Sequence, residues 1–369
     1  MSNKKFQTFF DCGFSKIRAG TINIDNDKDV FCVESEFFTD RSKLESQIKK
    51  IIVILEDKSD EYINNINLMT DSSEMLSVGI SLSKKLDGSK LKQENIKFLV
   101  QEAKQQILKY YIDHSIAHII INNYKIDGTD YSSLPSEIEC HSLSLDILFI
   151  CLPIDLILYF KDIFSKSNIS IDQIICTSYA KSISYKNNLS LAGHVSFIDV
   201  GFKKTSIISY LNKKIISIDV LPIGGNHITK DISKILEIDM NKSEQAKLNF
   251  DQNSKILNEQ NGSLNILQEI IFARTEEILD LCNKSIKSNL FLTDMFKMIL
   301  TGDGSRIHDN KYKDKKFFPK DIVFLEETLE DICQSGFRFI SEPNKQEVVV
   351  VPKKTIKEGF FEKLFHLFR

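Results

Sequence analysis

Two aspartates carry most of the chemical information in this chain. Each ends an apolar strand and has a glycine two residues later. The first stands in Phe9-Phe10-Asp11-Cys12-Gly13-Phe14-Ser15-Lys16-Ile17, the second in Ile198-Asp199-Val200-Gly201. After each, the pattern turns back into another β-rich run, Arg18–Ile24 in the first copy and Thr205–Leu211 in the second. A carboxylate at a strand end can face a metal, while the glycine lets backbone approach phosphates closely. In the second copy a third run, Ile215–Val220, follows the turn Asn212-Lys213-Lys214. Pro222-Ile223-Gly224-Gly225 then opens a helix whose N-terminus suits an anion. A third glycine loop, Gly302-Asp303-Gly304-Ser305, follows the apolar run Phe296–Leu300, and its glycines would let a flat base lie against backbone. Any one Asp-x-Gly loop is more often an ordinary turn. Three in this order point to a bound nucleotide.

The elements that must position these loops read as alternating α and β. Strands are expected at 6–11, 16–24 and 30–38, then a helix over 42–55 with Leu44, Ile48, Ile51, Ile52 and Leu55 at helical spacing and Ser42 as its N-cap. A strand at 63–69 closes this first unit. Residues 71–162 are material that a duplicated fold does not need, and they read as strands near 75–82, 116–122 and 143–152 with a helix at 93–110 and another from Pro153. The core resumes at 171–177. Residues 226–300 read as mostly helical (227–236, 243–249, 264–285), with 251–263 as a loop. Glu244 and Lys247 lie one helical turn apart on one face; as residues alone they are an ordinary ion pair or a ligand-facing one.

Composition bounds the rest. A chain of 369 residues holds two or more domains with real cores. A net charge of −3 gives no nucleic-acid footprint. Seven cysteines at irregular spacing form neither a disulfide framework nor a CxxC metal site, and read as free thiols in a reducing compartment. The chain reaches Asp11 before a signal-peptide core has formed, so none is expected. The apolar stretch 143–160 contains Asp146, Pro153 and Asp155, so it reads as a buried strand and helix rather than a span.

The order and content of the loops resemble the actin and sugar-kinase superfamily of ATP-binding proteins and, within it, the bacterial cell-division family FtsA. Asp11–Lys16 is similar to that family's first phosphate loop. Val220–Asp231 is similar to its Pro-Ile-Gly-Gly segment, and Ala273-Arg274-Thr275-Glu276-Glu277-Ile278 to its Ala-Arg-x-Glu-Glu-Ile helix. The resemblance implies an α/β, actin-like, duplicated two-lobed fold of ribonuclease-H-like cores, with an inserted small α+β subdomain and a C-terminal amphipathic helix. It places a first lobe at 1–70 and 163–194, the insertion at 71–162, a second lobe at 195–225 and 301–340 with its helical subdomain at 226–300, a linker at 341–354 and the terminal helix at 355–369. It implies ATP and Mg²⁺ as cofactors. The nucleotide would meet Asp11, Gly13, Ser15, Lys16, Asp199, Gly201, Thr205, Gly224, Gly225, Glu244, Lys247, Gly302, Gly304 and Ser305, and the metal would be reached through water from Asp11 and Asp199. The implied partners are the C-terminal peptide of the tubulin-like protein FtsZ, further copies in a filament, anionic membrane lipids, and later division proteins through the insertion. The implied site of action is the cytoplasmic face of the bacterial inner membrane at the division site, with no role for nucleic acid.

The chain departs from the family in the chemistry. Where the second phosphate loop usually reads Asp-Ile-Gly-Gly-Gly-Thr-Thr-Asp, this chain has Asp199-Val-Gly-Phe202-Lys203-Lys204-Thr205-Ser206, and Asp303 replaces a glycine in the base loop. Phe and Lys do not readily take φ > 0, so the loop is expected to follow another path, with Lys203 or Lys204 bringing an ammonium toward the phosphates. Weak hydrolysis or none is expected. A small-molecule kinase of the same superfamily and a PilM-like adaptor of pilus assembly are the alternatives; the tail separates them from the FtsA reading. In that tail Thr355-x-x-Glu358 is a capping box. Phe360, Phe361, Leu364, Phe365, Leu367 and Phe368 make the apolar part of the helix, and Lys363 and Arg369 lie on the other side to meet anionic headgroups. This is the composition of an interfacial anchor.

Overall fold

The computed structural model describes residues 5–38, 40–135, 138–189, 193–250, 261–288, 296–308, 322–342 and 347–348. The expected terminal helix at 355–369, its capping box and most of the 251–263 loop lie outside the described residues.

Two five-stranded sheets repeat one plan. The first contains β1 (Phe6–Cys12), β2 (Ile17–Asn23), β3 (Val30–Glu34), β4 (Asn65–Met69) and, from further along, the strand Ser170–Ile175. Its spatial order runs from β3 through β2, β1 and β4 to Ser170–Ile175, with β1–β3 antiparallel and the remaining neighbours parallel. The second sheet repeats that order and those directions with the strands His194–Val200, Thr205–Leu211, Lys214–Leu221, Lys297–Thr301 and Ile322–Phe324. The register repeats too: Cys12 pairs with Ile17 at the first hairpin end, and Val200 with Thr205 at the second. The duplicated, two-lobed actin-like fold is therefore present.

The third sheet is antiparallel and lies between the repeats in sequence. It consists of β5 (Leu76–Lys85), β6 (His114–Ile126), β7 (Thr129–Tyr131) and β8 (Ser142–Pro153) in the order β5-β8-β6-β7. The remaining strands are then β9 (Ser170–Ile175), β10 (His194–Val200), β11 (Thr205–Leu211), β12 (Lys214–Leu221), β13 (Lys297–Thr301) and β14 (Ile322–Phe324). Helix α2 (Gln93–Tyr110) covers the third sheet with Leu99, Val100, Ala103 and Ile107, whose spacing of three and four residues puts them on one face. This is the inserted α+β unit that the resemblance implied.

Alternation along β1 explains how the cores divide. Phe10 faces α1 (Leu44–Ser59) and α3 (Ile154–Ser165), in a cluster with Ile48, Ile51, Phe160 and Phe164. Phe9, one residue earlier, points to the opposite face. There it joins Tyr179 of α4 (Thr177–Asn188), Phe337 and the second-lobe residues Ile208 and Tyr210 in a core that both lobes share. The second lobe has its own core, where α5 (Gly225–Leu236), α6 (Met240–Leu248) and α7 (Asn261–Ser288) cover β10–β13. The last helix, α8 (Leu329–Ser341), crosses back to the first lobe and sets Phe337 edge-on to Phe9.

One local expectation is corrected. Ser42 does not cap α1. Residues 41–43 form a 3₁₀ turn, and Asp40 accepts both the Ser42 amide at 2.9 Å and the Ser42 hydroxyl at 2.6 Å. The helix starts at Leu44, with Lys43 at its N-cap position and no side-chain cap, while the Ser42 hydroxyl is turned back to Asp40.

Candidate functional site

The two Asp-x-Gly hairpins face each other across one cleft. In the first, the Gly13 amide donates to the Lys16 carbonyl at 3.0 Å; in the second, the Gly201 amide donates to the Lys204 carbonyl at 2.9 Å. The different path expected for the second loop is not taken: neither hairpin contains a residue of positive φ, so Phe202 and Lys203 close the second turn on the same bond as the first. The cavity between them measures about 360 Å³. It is lined by Asp11, Gly13, Ser15, Lys16, Asp199, Gly201, Gly225, Glu244, Lys247, Gly302 and Gly304 among the residues expected from the sequence.

Three expected residues support the loops instead of lining the cavity. The Thr205 hydroxyl, fully buried, donates to the Ile223 carbonyl at 2.7 Å, and the Ser305 hydroxyl closes its own turn on the Gly302 carbonyl at 2.7 Å. Gly224 lets the start of α5 press against the second hairpin, since a Cβ there would strike the Gly201 and Phe202 carbonyls. The amides of Gly225 and Asn226 donate to those same carbonyls at 3.0 and 2.7 Å. These two amides are thus spent on locking the hairpin.

Gly302 has a stricter requirement. Its φ of 88° is left-handed, and a Cβ would collide with Asp199 Oδ1. Its amide donates to Glu327 Oε2 at 2.8 Å, which ties the base-side loop to the segment before α8.

Two of the site's cations, Lys181 and Arg18, are not among the residues expected from the sequence. Lys181, on α4, is buried and donates to Asp199 Oδ1 at 3.0 Å and Glu327 Oε1 at 2.9 Å. Arg18, opposite Asp11 in the first hairpin, reaches Asp11 at 3.5 Å, Glu34 at 3.1 Å and, across the cleft, Asp303. Lys204 crosses to Asp71 at 2.9 Å. Lys203 instead sets its ammonium 5.1 Å from the Phe14 ring centroid. On the base side, Lys247 donates to Glu244 at 2.6 Å, to the Thr229 hydroxyl at 2.8 Å and to the Gly225 carbonyl at 3.1 Å. Phe37 and Phe202 also line the cavity and meet edge-to-face, one from each lobe.

These surroundings move the titrations. Burial pushes the Asp11 carboxyl up, and the Arg18 charge and Thr177 hydroxyl only partly offset it. Burial works the same way on Asp199, but Lys181 and then Lys204 outweigh it and hold the carboxyl below its usual range. Burial disfavours the Lys181 ammonium, yet Asp199 and Glu327 together hold its pKa above the usual lysine value. Lys247 is shifted the other way, because burial outweighs the opposing pull of Glu244 and, more weakly, of Asp303.

The fit to a nucleotide is good: glycine-lined backbone, cations on the phosphate side and aromatic rings in the lining. The fit to a carboxylate-held metal is poor. All six carboxylates lining the cavity are ion-paired within the protein, and among the described residues no group of three His, Cys, Asp or Glu side chains could hold a metal.

With this geometry in hand, the similarities to known proteins become specific. The sequence profile of the family Cell division protein FtsA matches residues 196–277, from the second hairpin into α7. Cell division protein FtsA of Buchnera aphidicola subsp. Acyrthosiphon pisum is 23% identical over 349 residues, covering 83% of this chain and 82% of that one. The same protein of Buchnera aphidicola subsp. Schizaphis graminum is 26% identical over 209 residues, covering 53% and 50%, so the match spans about half of that relative. The chain is thus similar to cell division protein FtsA at modest identity.

Likeness to solved structures bears on the fold alone. The PilM-PilN type IV pilus biogenesis complex superposes with a TM-score of 0.62 at 11% identity, covering 88% of this chain and 89% of that one. The ethanolamine utilization protein EutJ from Carboxydothermus hydrogenoformans gives a TM-score of 0.52 at 11% identity, with 90% of each chain covered. The family match falls on the stretch that builds the second wall of the cleft: residues 196–277 contain Asp199, Gly201, Gly225, Glu244 and Lys247.

Proposed function

We propose that this protein is an actin-like, ATP-binding component of the bacterial division machinery that tethers FtsZ polymers to the inner face of the cytoplasmic membrane and associates with copies of itself. One observation carries the nucleotide part. Two hairpins closed on equivalent bonds, Gly13 to Lys16 and Gly201 to Lys204, confront each other over a cavity whose third wall is the Gly302–Gly304 loop. Triphosphate would lie between the hairpins, with the base near Gly302, Gly304 and the Glu244–Lys247 pair. Hydrolysis would be slow, since each cavity carboxylate already has a cation as partner and none stands free to draw a proton from water.

The kinship to FtsA supports the division role, and the Phe-rich basic tail supports attachment to lipid. The FtsZ peptide would dock on the helical subdomain at 226–300, and the sheet of β5–β8 would be free to meet later division proteins. The deciding experiment titrates purified protein with ATP while following phosphate release, beside a pull-down with an FtsZ tail peptide. Saturable ATP binding with little turnover, and peptide capture lost when 226–300 is altered, would support the reading. No ATP binding at millimolar concentration would overturn its nucleotide part, and capture unaffected by changes in 226–300 would overturn the docking assignment.

A further inference from the structure

Of the seven cysteines, six are buried and one, Cys32, is half-buried. Cys32 stands on β3, the edge strand of the first sheet, and pairs across to Gly20 of β2. Helix α8 brings Cys333 to the same place. A Cβ on Gly20 would lie 3.0 Å from the Cys32 sulfur and 3.0 Å from the Cys333 sulfur. The absent side chain leaves the room in which the two sulfurs meet, and the Cys333 thiol donates to the Cys32 sulfur. That hydrogen bond holds the Cys32 thiol below its usual range, against burial and the Glu330 carboxylate, with the Lys58 charge assisting. Donating the same bond raises Cys333, and burial pushes it up further. The other five, Cys12, Cys140, Cys151, Cys176 and Cys282, are all raised, chiefly by burial.

A half-exposed thiol disposed to ionise, with a second thiol against it, is how a peroxide-reactive cysteine and its resolving partner are arranged. We propose that Cys32 and Cys333 are a redox pair that hydrogen peroxide converts to a disulfide. The Cys32 thiolate attacks one peroxide oxygen and the O–O bond breaks. The other oxygen leaves as water, taking up the proton that Cys32 gave up, and Cys32 becomes a sulfenic acid. The Cys333 sulfur then attacks the Cys32 sulfur, the S–O bond breaks, and the hydroxyl leaves as water with the Cys333 proton. Both thiols are oxidised and the peroxide is reduced to water. The new bond ties β3 to the helix that crosses back from the second lobe. Glu327, which holds Lys181 and the Gly302 amide, stands just before the N-cap of that helix. Oxidation thus fixes the segment behind the cleft to the first lobe.

The test exposes the full, folded chain to a small excess of hydrogen peroxide, alkylates the remaining thiols in denaturant, and maps the digest by mass spectrometry without reductant. The natural protein should yield a peptide pair linked through Cys32 and Cys333, released by dithiothreitol, with the other five cysteines alkylated. Cys333→Ser should stop at the sulfenic acid, so that dimedone labels Cys32. Cys32→Ser should leave Cys333 alkylated like the buried thiols. Three results on the natural protein would each overturn the proposal: both thiols still alkylated after peroxide, Cys32 carried to sulfinic acid without a linked peptide, or another cysteine oxidised first. The map of the natural protein decides the matter even where a variant does not fold.

Discussion

Lys204, on the second phosphate hairpin, donates at 2.9 Å to Asp71, two residues past the end of β4, and both side chains are buried. The pair spans the cleft at the position where a bound nucleotide would otherwise be the link between lobes. Asp71 also accepts the Ser178 amide at 3.1 Å, so the link extends to the start of α4. Breaking one half of a buried pair strands the other charge, at a typical cost of about 3–5 kcal/mol. Lys204→Met should therefore lower the unfolding free energy, read from urea unfolding, by that order. Lys204→Met combined with Asp71→Leu should regain much of the loss. Equal destabilisation by the single and double variants would show that the pair does not act as a unit.

Gly302 provides a second prediction with an internal control. Gly302 and Gly128 have nearly the same φ, 88° and 86°, but a Cβ on Gly128 meets nothing within 4 Å, while one on Gly302 strikes Asp199. Either change to alanine should cost on the order of 1–3 kcal/mol through the left-handed backbone. Gly302→Ala alone should weaken ATP binding, read by calorimetry, because it displaces a cleft carboxylate. Loss of affinity in both variants, or in neither, would detach the Gly302 contact from binding.

The residues legible in the sequence were those whose role depends on neighbours along the chain. Asp11 with Gly13, and Asp199 with Gly201, announce strand end and hairpin within three residues, and the structure pairs them as that pattern implies. Glu244 and Lys247 were legible through helical spacing. Lys181 was not, since its meaning comes from Asp199 on β10 and from Glu327, which lies beyond β14. In sequence it is one lysine in a mixed helix. Arg18 is similar: its partner Asp303 stood out as a departure from the family's base loop, and only the fold shows that the two meet. Helix α8 was not among the expected elements, although Thr328 and Asp331 at its start exchange hydroxyl and carboxylate bonds with each other's amides; β7 is three residues long and gives no periodic signal.

The raised pKa of Asp11 sets a pH dependence. A carboxyl whose folded value lies above its unfolded one costs nothing while both forms are protonated. The penalty then grows as pH rises from the ordinary carboxylate value through the raised one. Asp199 is the reverse case: its stabilising share is present above the ordinary carboxylate value and disappears as pH falls through its depressed one. Asp11→Asn, which keeps an acceptor for Thr177, should therefore stabilise the protein at neutral pH. The gain should be of the order of 0.5–2 kcal/mol, at the cost of function, and should vanish toward pH 4. Thermal unfolding across pH 4–8 checks it. A gain that is the same at both ends would mean the Asp11 charge is not its source.

The tail carries the last prediction. Residues 355–369 should attach the protein to anionic membranes by lying in the interface, because a spanning helix needs about 20 apolar residues. Full burial of a Phe or Leu contributes about 1.5–3 kcal/mol, and a helix this short is unstable in water, so the ordering cost offsets much of the gain. Each cation near the headgroups adds about 1 kcal/mol. One tail should then bind reversibly, and several on one polymer should hold by avidity, so attachment and self-association are expected to rise together with protein concentration. Phe361→Glu with Phe365→Glu should release the chain from anionic liposomes in a flotation assay while leaving its unfolding midpoint and ATP affinity unchanged. Salt should weaken attachment only in part, since the apolar share is unscreened. A double variant that still floats with liposomes, or one that unfolds, would place these phenylalanines in the protein's own core and remove the anchor.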